Sequence, residues 1–337
     1  MMLNPTPTTN KFPLLRLPEV ILLDVLHNYE TVELVDLSLC SKVCKSLAKY
    51  IVNKKKAPTE LSFFVDNQFE IRISFQWTNI SWTLYLDDSH QDSGLIRVVR
   101  CSEQYQEVLK KTYWLKGFSV RNWLDHISSI FNVPLHSIWI CGFITKHEKF
   151  YIQEMMKGLT VEALRVSYFV PDDYLKMIME KVLVGKHLTL KAPTRILPSE
   201  TVKFDMETLI FESNFWLKPN HVLAMNCHII DLGTSKWKAE TFNTFINLWM
   251  ENRSKLKMLQ ARSVEGNKWS EDLVLKGLDS QEVNLKRTFH LENNCFFRDI
   301  KIERSFDINW KGTTASIILE NYNDAQTKFM FLVWRET

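Results

Sequence analysis

Phe12-Pro13-Leu14-Leu15-Arg16-Leu17-Pro18-Glu19-Val20-Ile21-Leu22-Leu23-Asp24-Val25-Leu26 is the stretch from which the fold of this 337-residue chain is best read. Pro18 suits the first turn of a helix, where a backbone N–H has no intrahelical acceptor. Val20, Ile21, Leu22, Leu23, Val25 and Leu26 then wrap most of the helix circumference, with Asp24 alone interrupting. That is too wide for a one-sided surface helix. Thr31 is a plausible N-cap for a second helix carrying Val32, Leu34, Val35, Leu37 and Leu39, and Ser41 for a third carrying Val43, Cys44, Leu47, Ala48 and Ile51. Three short helices form too small a unit to hide so much apolar surface alone. The surplus must meet either the rest of the chain, as a helical cap, or another protein.

The surrounding composition is that of a folded chain: 45% apolar and 24% charged residues, with nine Gly and ten Pro. The net charge of +3 is too small for a dedicated nucleic-acid binder, and the densest basic run, Lys54-Lys55-Lys56, reads as a solvated helix end. No apolar run is long enough for a membrane span. Residues 1–11 lack a signal-peptide core and read as a disordered tail, so the six unpaired cysteines are expected to be reduced thiols in a cytoplasmic and/or nuclear protein. No two glycines lie close enough for a dinucleotide fingerprint or a phosphate-cradling loop, and no Gly-x-Ser-x-Gly occurs. Cys40 and Cys44 have no zinc-spaced partners. No cofactor, metal or catalytic residue is expected.

Downstream, residues 60–118 read as a β-rich connecting segment. Phe69, Ile71, Ile73 and Phe75 alternate with polar neighbours, as do Ile80, Trp82, Leu84 and Leu86, with a turn at 76–79. From 119 to 290 helical and strand patterns take turns. Val120, Trp123, Leu124, Ile127, Ile130 and Phe131 share one helical face that Asn132-Val133-Pro134 ends. Tyr174, Leu175, Ile178, Val182 and Leu183 suggest a helix ended by Gly185, and Ala239, Phe242, Phe245, Ile246 and Trp249 a further one. The strands share an apolar-x-x-apolar-x-apolar spacing, at Leu135/Ile138/Ile140, Val161/Leu164/Val166, Gly185/Leu188/Leu190, Met206/Leu209/Phe211, Cys227/Ile230/Leu232 and Leu256/Leu259/Ala261. Steps of 21 to 29 residues fall within the range of leucine-rich repeats, so an irregular α/β solenoid is expected, a generic βα sheet being the alternative. Residues 291–337 read as a β cap, with even-numbered apolar residues from Ile300 to Trp310 and a turn at Lys311-Gly312-Thr313. Trp216, Trp237, Trp249 and Trp269 read as core or edge-packing residues, with recognition hot spots the alternative, and none is named as a site.

The stretch from Phe12 to Leu26, followed by Glu33-Leu34 and Leu37-Ser38-Leu39-Cys40-Ser41-Lys42, resembles an F-box. Val222-Leu223-Ala224-Met225-Asn226-Cys227, Thr241–Trp249, Leu275-Lys276-Gly277-Leu278 and the closing strands to Trp334 resemble the F-box-associated type 2 domain of a large nematode family. The resemblance implies an F-box over 12–53 that docks on a Skp-type adaptor and, through it, a cullin. Carried over by position, the adaptor-facing residues are Leu17, Pro18, Ile21, Leu22, Val25, Leu26, Leu37 and Cys40. Two positions depart from the family pattern: Val20 stands where an acidic residue is common, and Cys44 where an aromatic is usual.

The expected architecture is therefore α/β, an N-terminal three-helix F-box followed by an irregular leucine-rich-repeat-like solenoid with antiparallel β elements near its ends. The function implied is a non-catalytic substrate receptor of an SCF-type (cullin–RING) ubiquitin ligase, holding one protein target, a toxin being conceivable, with no nucleic-acid or membrane partner. The alternative is an adaptor-independent repeat-like module that sequesters its partner.

Overall fold

Apolar periodicity becomes helix at the N-terminus as expected. In the computed structural model, which describes residues 14–55, 58–75, 79–86, 96–102, 112–115, 118–191, 204–214, 217–252, 254–291, 299–323 and 325–334, the first helices are α1 (Glu19–His27), α2 (Thr31–Ser38) and α3 (Lys42–Lys54). Pro18 is the N-cap of α1 rather than its first residue. Glu30, not Thr31, caps α2, its backbone N–H donating to Glu33 Oε2 at 2.7 Å. Ser41 caps α3 as expected, accepting from the Cys44 N–H at 3.1 Å.

Five strands follow, β1 (Glu60–Val65), β2 (Phe69–Ser74), β3 (Asn79–Leu86), β4 (Ile96–Ser102) and β5 (Thr112–Leu115), the last two paired antiparallel. Phe69, Ile71 and Ile73 are buried in strict alternation along β2. The expected hairpin turn at 76–79 lies, except for Asn79, outside the described residues, as do the tail 1–11 and Trp216. Helix α4 (Val120–Phe131) is opened by Ser119, which accepts from the Asn122 N–H, and closed by Asn132 at φ 51°. All six residues expected on its apolar face are buried.

The α/β elements are β6 (Leu135–Ile140), α5 (Lys149–Met156), β7 (Leu159–Val166), α6 (Asp172–Lys181), β8 (Val182–Leu190), β9 (Thr208–Phe211), β10 (Ser213–Asn214), α7 (Pro219–Ala224), β11 (Ile229–Ser235), α8 (Ala239–Glu251) and β12 (Met258–Ser263). Val182 and Leu183, read as helical, begin β8, and Gly185 lies inside that strand. Val182 pairs with Leu159, so cross-strand pairing overrides the helical spacing. Next come α9 (Glu271–Val274), β13 (Ser280–Val283), β14 (Arg287–Phe289), β15 (Ile300–Ile302), β16 (Ser305–Trp310), β17 (Thr313–Asn323) and β18 (Gln326–Trp334).

The chain divides into two units. One comprises the described residues of Met1–Leu61, Ile73–Trp82 and Asp87–Pro134; the other those of Ser62–Arg72, Thr83–Leu86 and Leu135–Thr337. In the second unit, β6, β7, β8, β9, β11 and β12 lie side by side and parallel. Ile138, Leu164, Leu188, Leu209, Ile230 and Leu259 sit in successive register and are all buried. The shared spacing thus marks six strands of one sheet, and no solenoid forms. The reason lies at β12: its far edge pairs antiparallel with β18, which continues through β17 and β16 to β13. The result is a mixed sheet that ends the parallel run instead of stacking another turn on it. The expected turn joins β16 to β17, with Lys311 and Gly312 both at positive φ, as a two-residue hairpin requires.

Strand β18 is buried on both faces. Phe329 stacks on Phe242 of α8 with ring centroids 4.0 Å apart, and Phe331 meets Phe245 and Trp249. Met330 and Leu332 pack with Ile318, Phe289 and Ile302, the last two from the separate β14–β15 ribbon. Ile300 and Ile302 therefore belong to a different sheet from Ile308.

Gly233 sits in a register shift of β11 at φ 59°, its N–H donating to Asp231 Oδ1 at 2.8 Å. A Cβ there would strike the carbonyl oxygens of Phe211 and Glu212. Gly233→Ala is expected to cost on the order of 3 kcal/mol, from backbone strain plus displacement of β9. Urea unfolding of the full chain checks this: the tryptophan-emission transition moves to lower urea, and an unmoved midpoint contradicts the assignment.

Candidate functional site

On α1 the apolar run splits into stripes. Leu22 and Leu26, one turn apart, point into the core. Beside them Pro18 and Ile21 are exposed and Val25 is half-buried. From α2, Val32, Leu34, Val35 and Ser38 are buried, and from α3, Cys44, Ala48, Ile51 and Val52. Helix α4 packs on α2 and α3 and supplies the wall these three helices lack, presenting Trp123, His126, Ile127 and Ile130. On its other side, Phe131 meets Phe75 and Trp82 at 6.3 Å each.

A polar contact joins α2 to α4. Ser38 Oγ and His126 Nε2 lie 2.8 Å apart and are both buried. The Ser38 hydroxyl donates to the Val35 carbonyl, so His126 donates to Ser38 through an Nε2–H. The rings of Phe118 and Trp123 stand edge-on to the imidazole at 5.7 and 6.3 Å. Burial, reinforced by the Lys45 ammonium, pushes the His126 pKa down to about 4, so the imidazole is neutral at pH 7.

Of the eight residues carried over as adaptor-facing, Pro18, Ile21 and Cys40 are exposed, and Leu17, Val25 and Leu37 are half-buried. Leu22 and Leu26 are core residues, closed to solvent by their own fold. Three apolar residues outside that set stand in solvent: Leu15 at 49%, Val20 at 71% and Val43 at 61% exposure. Val20 is the signal that was available, an apolar residue where the family pattern carries an acid.

The second unit contains a polar cluster that the sequence did not announce. Arg287 holds both oxygens of Asp307, at 2.7 and 2.8 Å, and also donates to Ser305 and Ser316. Trp334 Nε1 donates to Ser316 at 2.7 Å, under the guanidinium. Burial raises the Asp307 pKa, and the bonds from Arg287, Ser316 and Ser305 outweigh it, leaving the carboxyl below its usual range. A bidentate pair with every oxygen engaged is a structural clamp for β14 on the sheet. Trp237 and Trp269 are likewise structural, donating to the carbonyls of Leu217 and Trp237 at 2.7 and 2.8 Å. Among the described residues no group of three His, Cys, Asp or Glu could hold a metal ion.

Comparison with known proteins now adds the class. Residues 14–56 match the F-box domain family, and residues 194–261 match the family described as F-box associated. The chain thus carries an F-box domain and, after it, an F-box-associated domain. Similar proteins occur in Caenorhabditis elegans, in keeping with a nematode F-box protein. An uncharacterized protein of that nematode is 22% identical over 356 residues, covering 96% of this chain and 79% of the relative. The Skn-1 dependent zygotic transcript 15 protein is 23% identical over 281 residues, covering 74% and 79%. A second uncharacterized protein is 23% identical over 270 residues, covering 75% and 61%. No solved structure matches the chain. F-box domains in general bind Skp-type adaptors within SCF complexes, F-box proteins are in general non-catalytic, and neither matched family is catalytic. No helix among the described residues is long and apolar enough to cross a membrane.

Two stability outcomes follow from this packing. Leu26→Ala is expected to cost about 3 kcal/mol and Ile21→Ala less than about 1, because only the first leaves a cavity; equal shifts in chemical unfolding contradict the division into stripes. His126 has a folded pKa below the ordinary 6.5, so its contribution is complete above pH 6.5 and is lost as the pH falls toward 4. That loss is on the order of 3 kcal/mol in the wild type. Urea titrations between these pH values show it, and His126→Gln flattens the dependence; an unchanged slope in the variant contradicts it.

Proposed function

We propose that this chain is the substrate receptor of an SCF-type ubiquitin ligase. Helices α1–α3 dock on a Skp-type adaptor and through it on a cullin, and the C-terminal domain holds one protein target for ubiquitination and degradation. The observation that carries this reading is the division of α1. Leu22 and Leu26 are spent on the core, while Pro18, Val20 and Ile21 are left in solvent beside them. Each such side chain gains about 1.5–3 kcal/mol when a partner covers it fully. With Val20 in place of an acid, docking here rests on apolar burial more than on charge, so its affinity depends only weakly on salt.

The mechanism is proximity. The receptor fixes the target near a ubiquitin-charged enzyme supplied by other subunits, which raises its effective concentration without any chemistry by this chain. The complex works where adaptor and cullin are found, in the cytoplasm or nucleus.

Co-purification of the full chain with a Skp-type adaptor tests the proposal. Ile21→Asp forces a carboxylate into the buried contact and is expected to weaken the complex by about 100-fold or more, while the thermal transition stays at the wild-type temperature. A wild type that retains no adaptor, or an Ile21→Asp chain that retains it equally, overturns the proposal.

A further inference from the structure

In the second unit, the loops after β6 and β7 emerge from the same end of the parallel sheet. After β6 the chain makes a tight turn, Gly142–Lys146, and after β7 it passes through Tyr168 and Phe169 before Val170 is buried again. Phe169 is 86% exposed at φ 66°, a left-handed conformation that costs a bulky residue energy. The loop nevertheless has little freedom. A Cβ on Gly142 would lie 2.7 Å from the Tyr168 carbonyl oxygen and 3.1 Å from Phe169 Cβ, so only glycine lets the two loops touch. The Ser167 N–H donates to Ile140 O at 2.8 Å, and the Tyr174 hydroxyl donates to His147 O at 3.0 Å. His147 Nε2 is 2.7 Å from the Asp66 carbonyl. A rigid scaffold therefore holds an aromatic ring out into water in a conformation that hydrophobic burial would oppose.

The surroundings have the anatomy of a protein interface, an apolar centre with a mixed polar rim. Phe143 is 59% exposed beside it, with the Lys146 ammonium 5.3 Å from its ring centre. Tyr168 lies 6.2 Å from the Phe169 ring, and the neighbouring Glu212 carboxylate raises the pKa of its phenol. Lys191 is 3.7 Å from Glu212, and Lys149 is 2.8 Å from Asp173. Cations and carboxylates are thus interleaved around the rings. Such a rim repels a polyanion or an anionic lipid surface as much as it attracts it, and suits a partner that also carries both signs.

We propose that the Gly142–Lys146 turn and the Tyr168–Phe169 loop form the docking surface for the target, with Phe169 as the anchor that enters an apolar pocket on a folded protein. This rests on the receptor reading for the identity of the partner as a degradation target. It does not rest on it for the existence of the surface.

The test uses the full chain bound to adaptor, comparing wild type with Phe169→Gly. Glycine takes φ 66° without strain, so the variant keeps or raises its thermal stability and loses only the ring. Proteins retained from a nematode extract under cullin inhibition are quantified, and the protein lost with Phe169→Gly is purified and its affinity measured directly. The expected result is a protein whose binding weakens about tenfold or more with Phe169→Gly and also falls with Phe143→Ala, while adaptor binding is unchanged. A wild type that retains no such protein, a retained set indifferent to Phe169→Gly, or Phe169-dependent binding to phosphatidylserine-containing vesicles each overturns the proposal. Failure of the receptor reading has a separate signature: no adaptor is retained by the wild type, yet the purified protein still binds in a Phe169-dependent way.

Discussion

The three N-terminal helices carry more apolar surface than they can bury among themselves, and the burial of one side of that surface against α4 is the constraint on which the first unit depends. Leu22, Leu26, Val35 and Ile51 are closed off, and α4, packed on α2 and α3, buries its own Trp123, Ile127 and Ile130. The Ser38–His126 bond adds direction to this contact. An imidazole that must remain neutral and donate through Nε2 tolerates little change in the placement of α2 against α4. Because the inner face is committed in this way, the outer residues of α1 are presented on a fixed helix, which lowers the ordering cost of engaging a partner.

The second unit solves a different problem. Six parallel strands in successive register bring the loops that follow them to one end of the sheet, the end at which open α/β sheets generally receive their ligands. An open sheet has an edge that invites pairing with other chains. Here β18 takes the far side of β12, and the antiparallel run through β17 and β16 moves the edge to the short, polar β13. The Arg287–Asp307 clamp and the two-sided burial of β18 hold that run in place.

Much of the fold was legible because burial imposes period. The α4 face, the α8 face from Ala239 to Trp249 and the six strand cores all appear as apolar spacing. The solenoid reading failed for a physical reason. A coil and an open sheet demand the same inward-facing residues, and the difference is settled by the pairing of Leu259 with Phe331, far apart in sequence. The site was less legible. Six apolar residues in seven on α1 do not reveal which will face water, since that depends on a contact such as Ser38 with His126, 88 residues away. Leu22 and Leu26 are carried over as adaptor-facing by position from the F-box resemblance, and their side chains are buried. Phe169 carried no local signal at all, because a positive φ at phenylalanine is imposed by its neighbours and not by its own preference.

Under the proposed function, the adaptor covers the outer stripe of the F-box helices and not their core stripe. Cys40 lies on the outer side and Cys141 belongs to the second unit, so their thiols report the two regions independently. The most direct measurement is the rate of alkylation of each thiol in the full chain, by mass spectrometry, with and without saturating adaptor. The account predicts that adaptor slows the reaction of Cys40 and leaves that of Cys141 unchanged. A stable complex in which Cys40 reacts at its free rate would contradict it.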